Sequence, residues 1–201
     1  MISVKKYVPD INNADYSSLI DDRSVKRLEE TLQDAEEKGA QIINLNDQPI
    51  NFQNRKFPLH LVLNPTEDMA ISQREIFGPI LLVRTYKEEQ QVIDFVNCHD
   101  RPLGLYVFSE RKGCRENYIN RIMSGGVSIN DTMLHAFQDD LPFGGIGHSG
   151  MGQYHGHEGF VSFSKIRPIF HQPKINAMGL LSPPYPDWLT RVYNLLVKFK
   201  S

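Results

Sequence analysis

Three groups of residues in the 201-residue chain are of types that do chemistry. Gly145-Ile146-Gly147-His148-Ser149-Gly150 has the G-x-G-x-x-G spacing of a turn that cradles the phosphates of a dinucleotide. His148, His155 and His157, with Glu158 beside them, carry imidazoles suited to zinc, copper or iron. Cys98, followed by His99, and Cys114, in ERKGCREN, are thiols that a neighbouring base would activate as nucleophiles.

Each group meets a physical test. A dinucleotide turn must follow a buried strand, open a helix and precede by about 20 residues an acid for the ribose. Here QDDLPF precedes the glycines and KIRPIFHQ stands where the acid belongs, so the phosphate reading fails on both sides. The histidines lack the fixed spacing of a metal site, since glycines flank His155, and no HExxH or paired cysteines support them. No metal site is expected. Neighbours at i and i+1 on a helix point apart, so Cys98 and His99 are not expected to meet. Cys114 has no oriented base either, and both thiols read as structural or incidental.

The elements that would position such residues follow from periodicity. Residues 1–23 read as irregular. Val25, Leu28, Leu32 and Ala35 recur at helical spacing over 24–38, with Ser24 as the N-cap, Lys26 and Glu30 paired, and Gly39 as the stop. QIINL (41–45) and FPLHLVL (57–63) read as strands. Then ILLVRTY (80–86), a helix over 87–98, LGLYVFS (103–109), a helix over 111–123 and GVSIN (126–130) alternate as crossover units of a parallel sheet do. Their apolar runs suggest strands buried on both faces. The fold class is α/β. A glycine-rich loop follows, FSKIRPIF (163–170) reads as another strand, and after SPPYP (182–186) a tail helix runs from Asp187 to about Lys200. Trp188, Leu189, Val192, Leu195, Leu196 and Phe199 share its apolar face, which is expected to dock on protein; membrane contact is not expected.

Composition excludes several classes. A net charge of −2 lacks the basic field of a nucleic-acid binder, so no nucleic-acid partner is expected. No apolar run approaches the ~20 residues that span a bilayer. Two scattered cysteines suit a reducing, cytoplasmic setting.

"REIFGPILLV" (74–83), "SGGVSIND" (124–131), "LPFGGIGHSGMGQYHG" (141–156) and "FVSFSKIRPI" (160–169), in this order, resemble the C-terminal part of the aldehyde dehydrogenase superfamily. "SLIDDRSVKRLEETLQDAEEKGA" (18–40) is similar to the helix that precedes them in that family, and the GMGQYHG ending resembles its class 3 and coniferyl-aldehyde-dehydrogenase-like branch. The resemblance implies part of the family's catalytic domain over residues 1–160, a parallel-rich twisted sheet with flanking helices, and an oligomerisation strand and tail helix over 161–201. It also explains the glycine loop as a tight turn beside the active-site funnel, and not as the cofactor's phosphate turn.

The family oxidises an aldehyde with NAD or NADP. A cysteine attacks the carbonyl, hydride leaves for the nicotinamide, and a glutamate activates the water that cleaves the thioester. Carried over, Glu75 would accept hydrogen bonds from the nicotinamide-ribose hydroxyls, and Phe77 would pack near the nicotinamide, with Gly78 and Pro79 turning into the strand. Asn130, His135 and Phe137 would line the substrate entrance, where His135 either bonds a ligand or holds structure. Residues 163–170 would pair with a partner subunit in a homo-oligomer. The family's nucleophilic cysteine, in a Gly-Gln-x-Cys-like context upstream of E-I-F-G-P, has no match here, nor does its general base or its dinucleotide domain. The chain is therefore expected to contribute no catalytic residue and to be inactive alone. The alternative is a non-catalytic oligomerisation or binding module derived from the enzyme.

Overall fold

The computed structural model describes residues 2–174, 179 and 183–199. Its contacts divide the chain into two compact units, residues 1–99 and 100–201.

In the first unit a short helix α1 (Ile2–Tyr7) occupies a stretch whose polarity had suggested irregular chain. Helix α2 (Asp22–Glu37) then buries Val25, Leu28 and Ala35, the stripe that its periodicity announces. Its cap is Asp21 and not Ser24: the Asp21 carboxylate accepts the Ser24 amide hydrogen at 2.7 Å, so the helix starts two residues earlier than expected. A hydrogen bond from the Ser24 side chain, and after it that amide bond, hold the Asp21 carboxyl below the usual carboxylate range. At the other end Gly39 takes φ 88°, and the Ala40 amide returns to the Ala35 carbonyl at 2.8 Å, a left-handed stop that favours glycine.

The sheet of this unit is β1 (Gln41–Asn44), β2 (His60–Leu63) and β3 (Ile80–Val83) in that order. The β1–β2 pair is antiparallel, with Ile42 opposite Val62; β2–β3 is parallel, with His60 opposite Ile80. Val25, Leu28, Ala35, Phe57, Val62, Met69, Ile71 and Ile80 make the core between α2, the sheet and the short helix α3 (Ala70–Gln73). Fully burying each large side chain contributes about 1.5–3 kcal/mol. Strand β2 alternates, with His60 and Val62 buried and Leu61 and Leu63 half-buried, and Leu81 on β3 is 62% exposed. On β3 the expected burial on both faces is therefore not seen among the described residues.

Helix α4 (Glu89–Asn97) carries a capping box of Glu88 and Gln91 and ends the unit. In the second unit β4 (Gly104–Val107), α5 (Lys112–Arg121) and β5 (Gly126–Ile129) form the crossover that alternation predicts, β4 and β5 pairing in parallel with Gly104 opposite Gly126. The expected single sheet through residues 80–130 is thus divided: β3 pairs with β2, and β4 with β5. Periodicity shows which segments are strands but not whose edge each one finds.

After a 3-10 turn (Leu134–Phe137) the glycine-rich loop folds back on itself. Phe143 and Tyr154 exchange backbone hydrogen bonds of 2.8 and 2.9 Å, and Gly147 bridges Gly150. Helix α6 (Gly156–Ser162) follows. Residues 163–170 pair with no strand among the described residues, and Phe163 (93%) and Phe170 (82%) are exposed. Helix α7 (Asp187–Lys198) forms as its periodicity predicts, with no buried residue. Ser182 and Lys200, in the expected link and helix end, lie outside the described residues.

Candidate functional site

Glu75 and Phe77 sit on the loop between α3 and β3, and α2 positions that loop. Arg74 donates from Nη2 to the Thr31 hydroxyl at 2.8 Å, and that hydroxyl donates to the Arg27 carbonyl at 2.6 Å within α2. Arg27 in turn reaches the Phe77 carbonyl at 3.5 Å. A methyl group on Gly78 would lie 3.0 Å from Leu28 Cδ2 and closer still to Cδ1, so the backbone there rests directly on the α2 core face. The His60 amide bonds the Pro79 carbonyl at 3.0 Å, which turns the chain into β3. Between these anchors Glu75 is exposed, and its carboxylate has no partner among the described residues. Phe77 is 76% exposed on a backbone at φ 44°. Such a conformation costs a non-glycine residue about 1–3 kcal/mol.

What this loop offers is an exposed carboxylate, without a partner among the described residues, beside an uncovered aromatic face. A vicinal diol is a matched donor for such a carboxylate. An annular ligand of nicotinamide size is a matched partner for the ring.

Asn130, His135 and Phe137 lie together on one segment of the second unit. Asn130 has φ 54°, and its Oδ1 accepts the Ser109 amide hydrogen at 2.8 Å while its own amide donates to the Val107 carbonyl at 2.9 Å. It is committed to holding the turn after β5. His135 is packed: its Nδ1 lies 2.9 Å from Ser128 Oγ, its ring stands 5.9 Å from both Tyr106 and Phe143, and Gly126 leaves the space the imidazole fills. Its Nε2 is buried without a partner among the described residues. Phe137 is 70% exposed, the ring most open to a ligand on this segment.

The other histidines do not converge. His148 Nδ1 is 3.7 Å from Asp100, and His155, at φ 68°, stacks edge-on against Tyr154 with 4.5 Å between ring centroids. Among the described residues no group of three or more His, Cys, Asp or Glu is placed to hold a metal ion.

One contact was not legible in the sequence. Cys98 Sγ lies 3.2 Å from His99 Nδ1, against the expectation that these neighbours point apart. The helical rule fails because α4 has ended: Cys98 is its C-cap, and His99 leaves the helix geometry. The position of a helix end decides this contact, and the α4 sequence alone places that end only to within a residue or two.

The sequence model of the aldehyde dehydrogenase family matches residues 3–169. The chain belongs to the aldehyde dehydrogenase family. It is similar to a probable coniferyl aldehyde dehydrogenase of Pseudomonas aeruginosa, 44% identical over 93% of this chain and 39% of that protein. It is also similar to the coniferyl aldehyde dehydrogenase of a Pseudomonas species, 38% identical over 93% of this chain and 40% of that one. Among solved structures it matches substrate-bound AldH of Staphylococcus aureus with a TM-score of 0.76 at 30% identity, covering 98% of this chain and 42% of the other. The chain spans about two fifths of the length of these relatives. Its mixed α/β arrangement is thus a partial aldehyde dehydrogenase fold, of an oxidoreductase family.

Proposed function

We propose that this chain is the C-terminal part of the working unit of an NAD(P)-dependent aldehyde dehydrogenase that oxidises an aromatic or long-chain aldehyde, coniferyl aldehyde among them, to the acid. The observation that carries this reading is the Glu75–Phe77 loop: anchored at Arg74, Phe77 and Gly78 on α2, it presents a carboxylate with no partner among the described residues and an exposed ring. Glu75 accepts hydrogen bonds from the two nicotinamide-ribose hydroxyls, and Phe77 packs beside the nicotinamide. When bound, the nicotinamide is the hydride acceptor. Phe137 lines the substrate entrance, Asn130 fixes the turn that leads to it, and His135 holds that segment to β5 through Ser128.

No cysteine of the 201 residues matches the family's nucleophile and no glutamate its general base, so the chain alone turns over no aldehyde. Exposure of Leu81 (62%), Phe108 (65%) and Phe163 (93%) supports a chain that is covered by further protein, and it counts against a self-sufficient binding module. Residues 163–170 supply a strand to a partner subunit by β-strand addition, which makes a homo-oligomer in a cytoplasmic setting. Among the described residues no helix is long and apolar enough to cross a membrane.

The test is a chimera. The matching two fifths of the P. aeruginosa relative are replaced by this chain, and coniferyl-aldehyde-dependent reduction of NAD and of NADP is followed. Activity is expected, with Glu75→Gln raising the cofactor KM about tenfold or more, as loss of a charged hydrogen-bond acceptor predicts. A soluble, oligomeric chimera without activity, or an unchanged cofactor KM in the variant, would refute the assignment.

A further inference from the structure

The Cys98 thiol does not stand alone. It is exposed at the end of α4, and four further side chains converge behind it. His99 Nδ1 lies 3.2 Å from Sγ and donates to the Phe95 carbonyl at 2.7 Å. His99 Nε2 faces Glu67 Oε2 at 3.4 Å. The other Glu67 oxygen is held by Arg84 Nη2 at 2.9 Å, and the Arg84 guanidinium lies over the Phe95 ring at 4.7 Å. The ring of Phe95 also stacks on His99, with centroids 4.6 Å apart. Nucleophile, imidazole and orienting carboxylate are thus in sequence, each held by the next, which is the arrangement that activates a nucleophile.

The Phe95 carbonyl accepts a hydrogen bond from Nδ1–H and the Glu67 carboxylate faces Nε2, and both raise the His99 pKa above its ordinary value. Arg84 opposes this, and Asp94 on α4 is engaged by Gln90. The Phe95 carbonyl also accepts the Cys98 thiol hydrogen, at 3.0 Å. When the thiol gives up that hydrogen, the shared carbonyl loses one donor and the imidazolium N–H is free to turn to the sulfur.

We propose that Cys98 is a modification site, at which the thiol undergoes exchange with a low-molecular-weight disulfide under the control of His99 and Glu67. The thiol releases its proton to water; the sulfur then attacks one sulfur of R–S–S–R, the bond between Cys98 and that sulfur forms, and the original disulfide bond breaks. The departing thiolate takes a proton from His99 or water, so one thiol and one disulfide are consumed and one of each is produced. This chemistry is separate from aldehyde oxidation and uses none of the residues assigned to it.

The experiment uses the 201-residue chain with Cys114→Ser, which leaves one thiol, and dithiobis(nitrobenzoate) as the disulfide probe. The release of thionitrobenzoate is timed between about pH 6 and pH 10. Exposure alone makes Cys98 accessible, so the informative comparison is with His99→Gln and Glu67→Gln, which leave the sulfur equally exposed. At pH 7 the parent is expected to react about threefold or more faster than His99→Gln, with Glu67→Gln between them. Each tenfold gain in thiolate yields only about threefold in rate, because nucleophilicity falls as the thiolate becomes more stable. Mass spectrometry of the tryptic peptide places the adduct on Cys98. Superimposable rate profiles of parent and His99→Gln, or rates no faster than those of a short unstructured peptide with the same sequence, overturn the proposal.

Discussion

The contact between Gly78 and Leu28 ties the E-I-F-G-P loop to α2, and its energetics can be isolated in a double-mutant cycle. Leu28 is fully buried, so Leu28→Ala removes its packing and leaves a cavity, a loss of about 2–5 kcal/mol. Gly78→Ala places a methyl group within van der Waals overlap of the Leu28 side chain, and overpacking of this kind costs about 1–3 kcal/mol. The three nearest atoms to that methyl are all Leu28 side-chain atoms, Cδ1, Cδ2 and Cγ, and all three vanish in Leu28→Ala. The double variant therefore suffers no overlap, and its new methyl fills part of the cavity. Independent sites would add to roughly 3–8 kcal/mol, whereas the double variant is expected to lose no more than Leu28→Ala alone, a coupling of about 1–3 kcal/mol. The Gly78 backbone is not left-handed, so strain does not blur the comparison. Urea unfolding followed by circular dichroism of the four proteins gives the cycle. Additive losses within about 0.5 kcal/mol would show that Gly78 does not rest on Leu28 and would remove the structural account of how the loop is held.

Other expectations follow from single contacts. Asp21→Ala removes the α2 cap and should cost about 1 kcal/mol in the same unfolding assay, whereas Ser24→Ala, which leaves the cap intact, should cost only a few tenths; the reverse order would restore Ser24 as the cap. Burial lowers the His60 pKa, so the unfolded chain binds the proton first and stability should fall as pH drops below about 6.5. His99, with its raised value, acts oppositely: its contribution is complete below about pH 6.5 and is lost as pH rises through the folded value. Measuring urea midpoints from pH 7.5 down to 5.5 in a His99→Gln background isolates His60, and a flat or rising midpoint on acidification contradicts its burial as a neutral ring. Ile166→Pro removes a backbone donor from the segment assigned to subunit pairing. Size-exclusion chromatography of the chimera should show dissociation, and an unchanged elution volume would take the interface elsewhere.

Much of the architecture was legible because periodicity reports burial. The α2 stripe of Val25, Leu28 and Ala35, the β4–α5–β5 crossover and the tail helix each lie where their apolar spacing places them. Pairing was not legible: ILLV at 80–83 reads equally well as a neighbour of β4 or of β2, and only the folded chain shows β2. End effects were misjudged for the same local reason at both ends of a helix. Asp21, three residues before the Ser24 amide, outcompetes Ser24 as cap, and the C-cap at Cys98 lets adjacent side chains meet. For the candidate site, the motif marks Glu75 and Phe77, but nothing in it shows that one keeps a carboxylate free of partners among the described residues while the other bears a left-handed backbone. The opposite holds for Asn130, whose amide is spent on Ser109. The Ser128–His135 pair joins residues seven apart through a turn that no periodic pattern encodes.

The glycine loop carries a genetic consequence. A side chain at Gly144 would run into the Gly152 carbonyl, and one at Gly145 into the backbone of Ser149 and Gly150. The obstruction is a Cβ, whose position the backbone fixes, against main chain, so no rotamer change relieves it. Every base change in the first two positions of a glycine codon that yields another amino acid adds a Cβ, and so every missense allele at these two codons is a structural lesion, whatever the polarity or size of the newcomer. Inherited variation at the two codons is thereby confined to silent third-position changes, and a collection of random mutants selected for a folded chain should be empty there while tolerating substitutions at the exposed neighbour Met151.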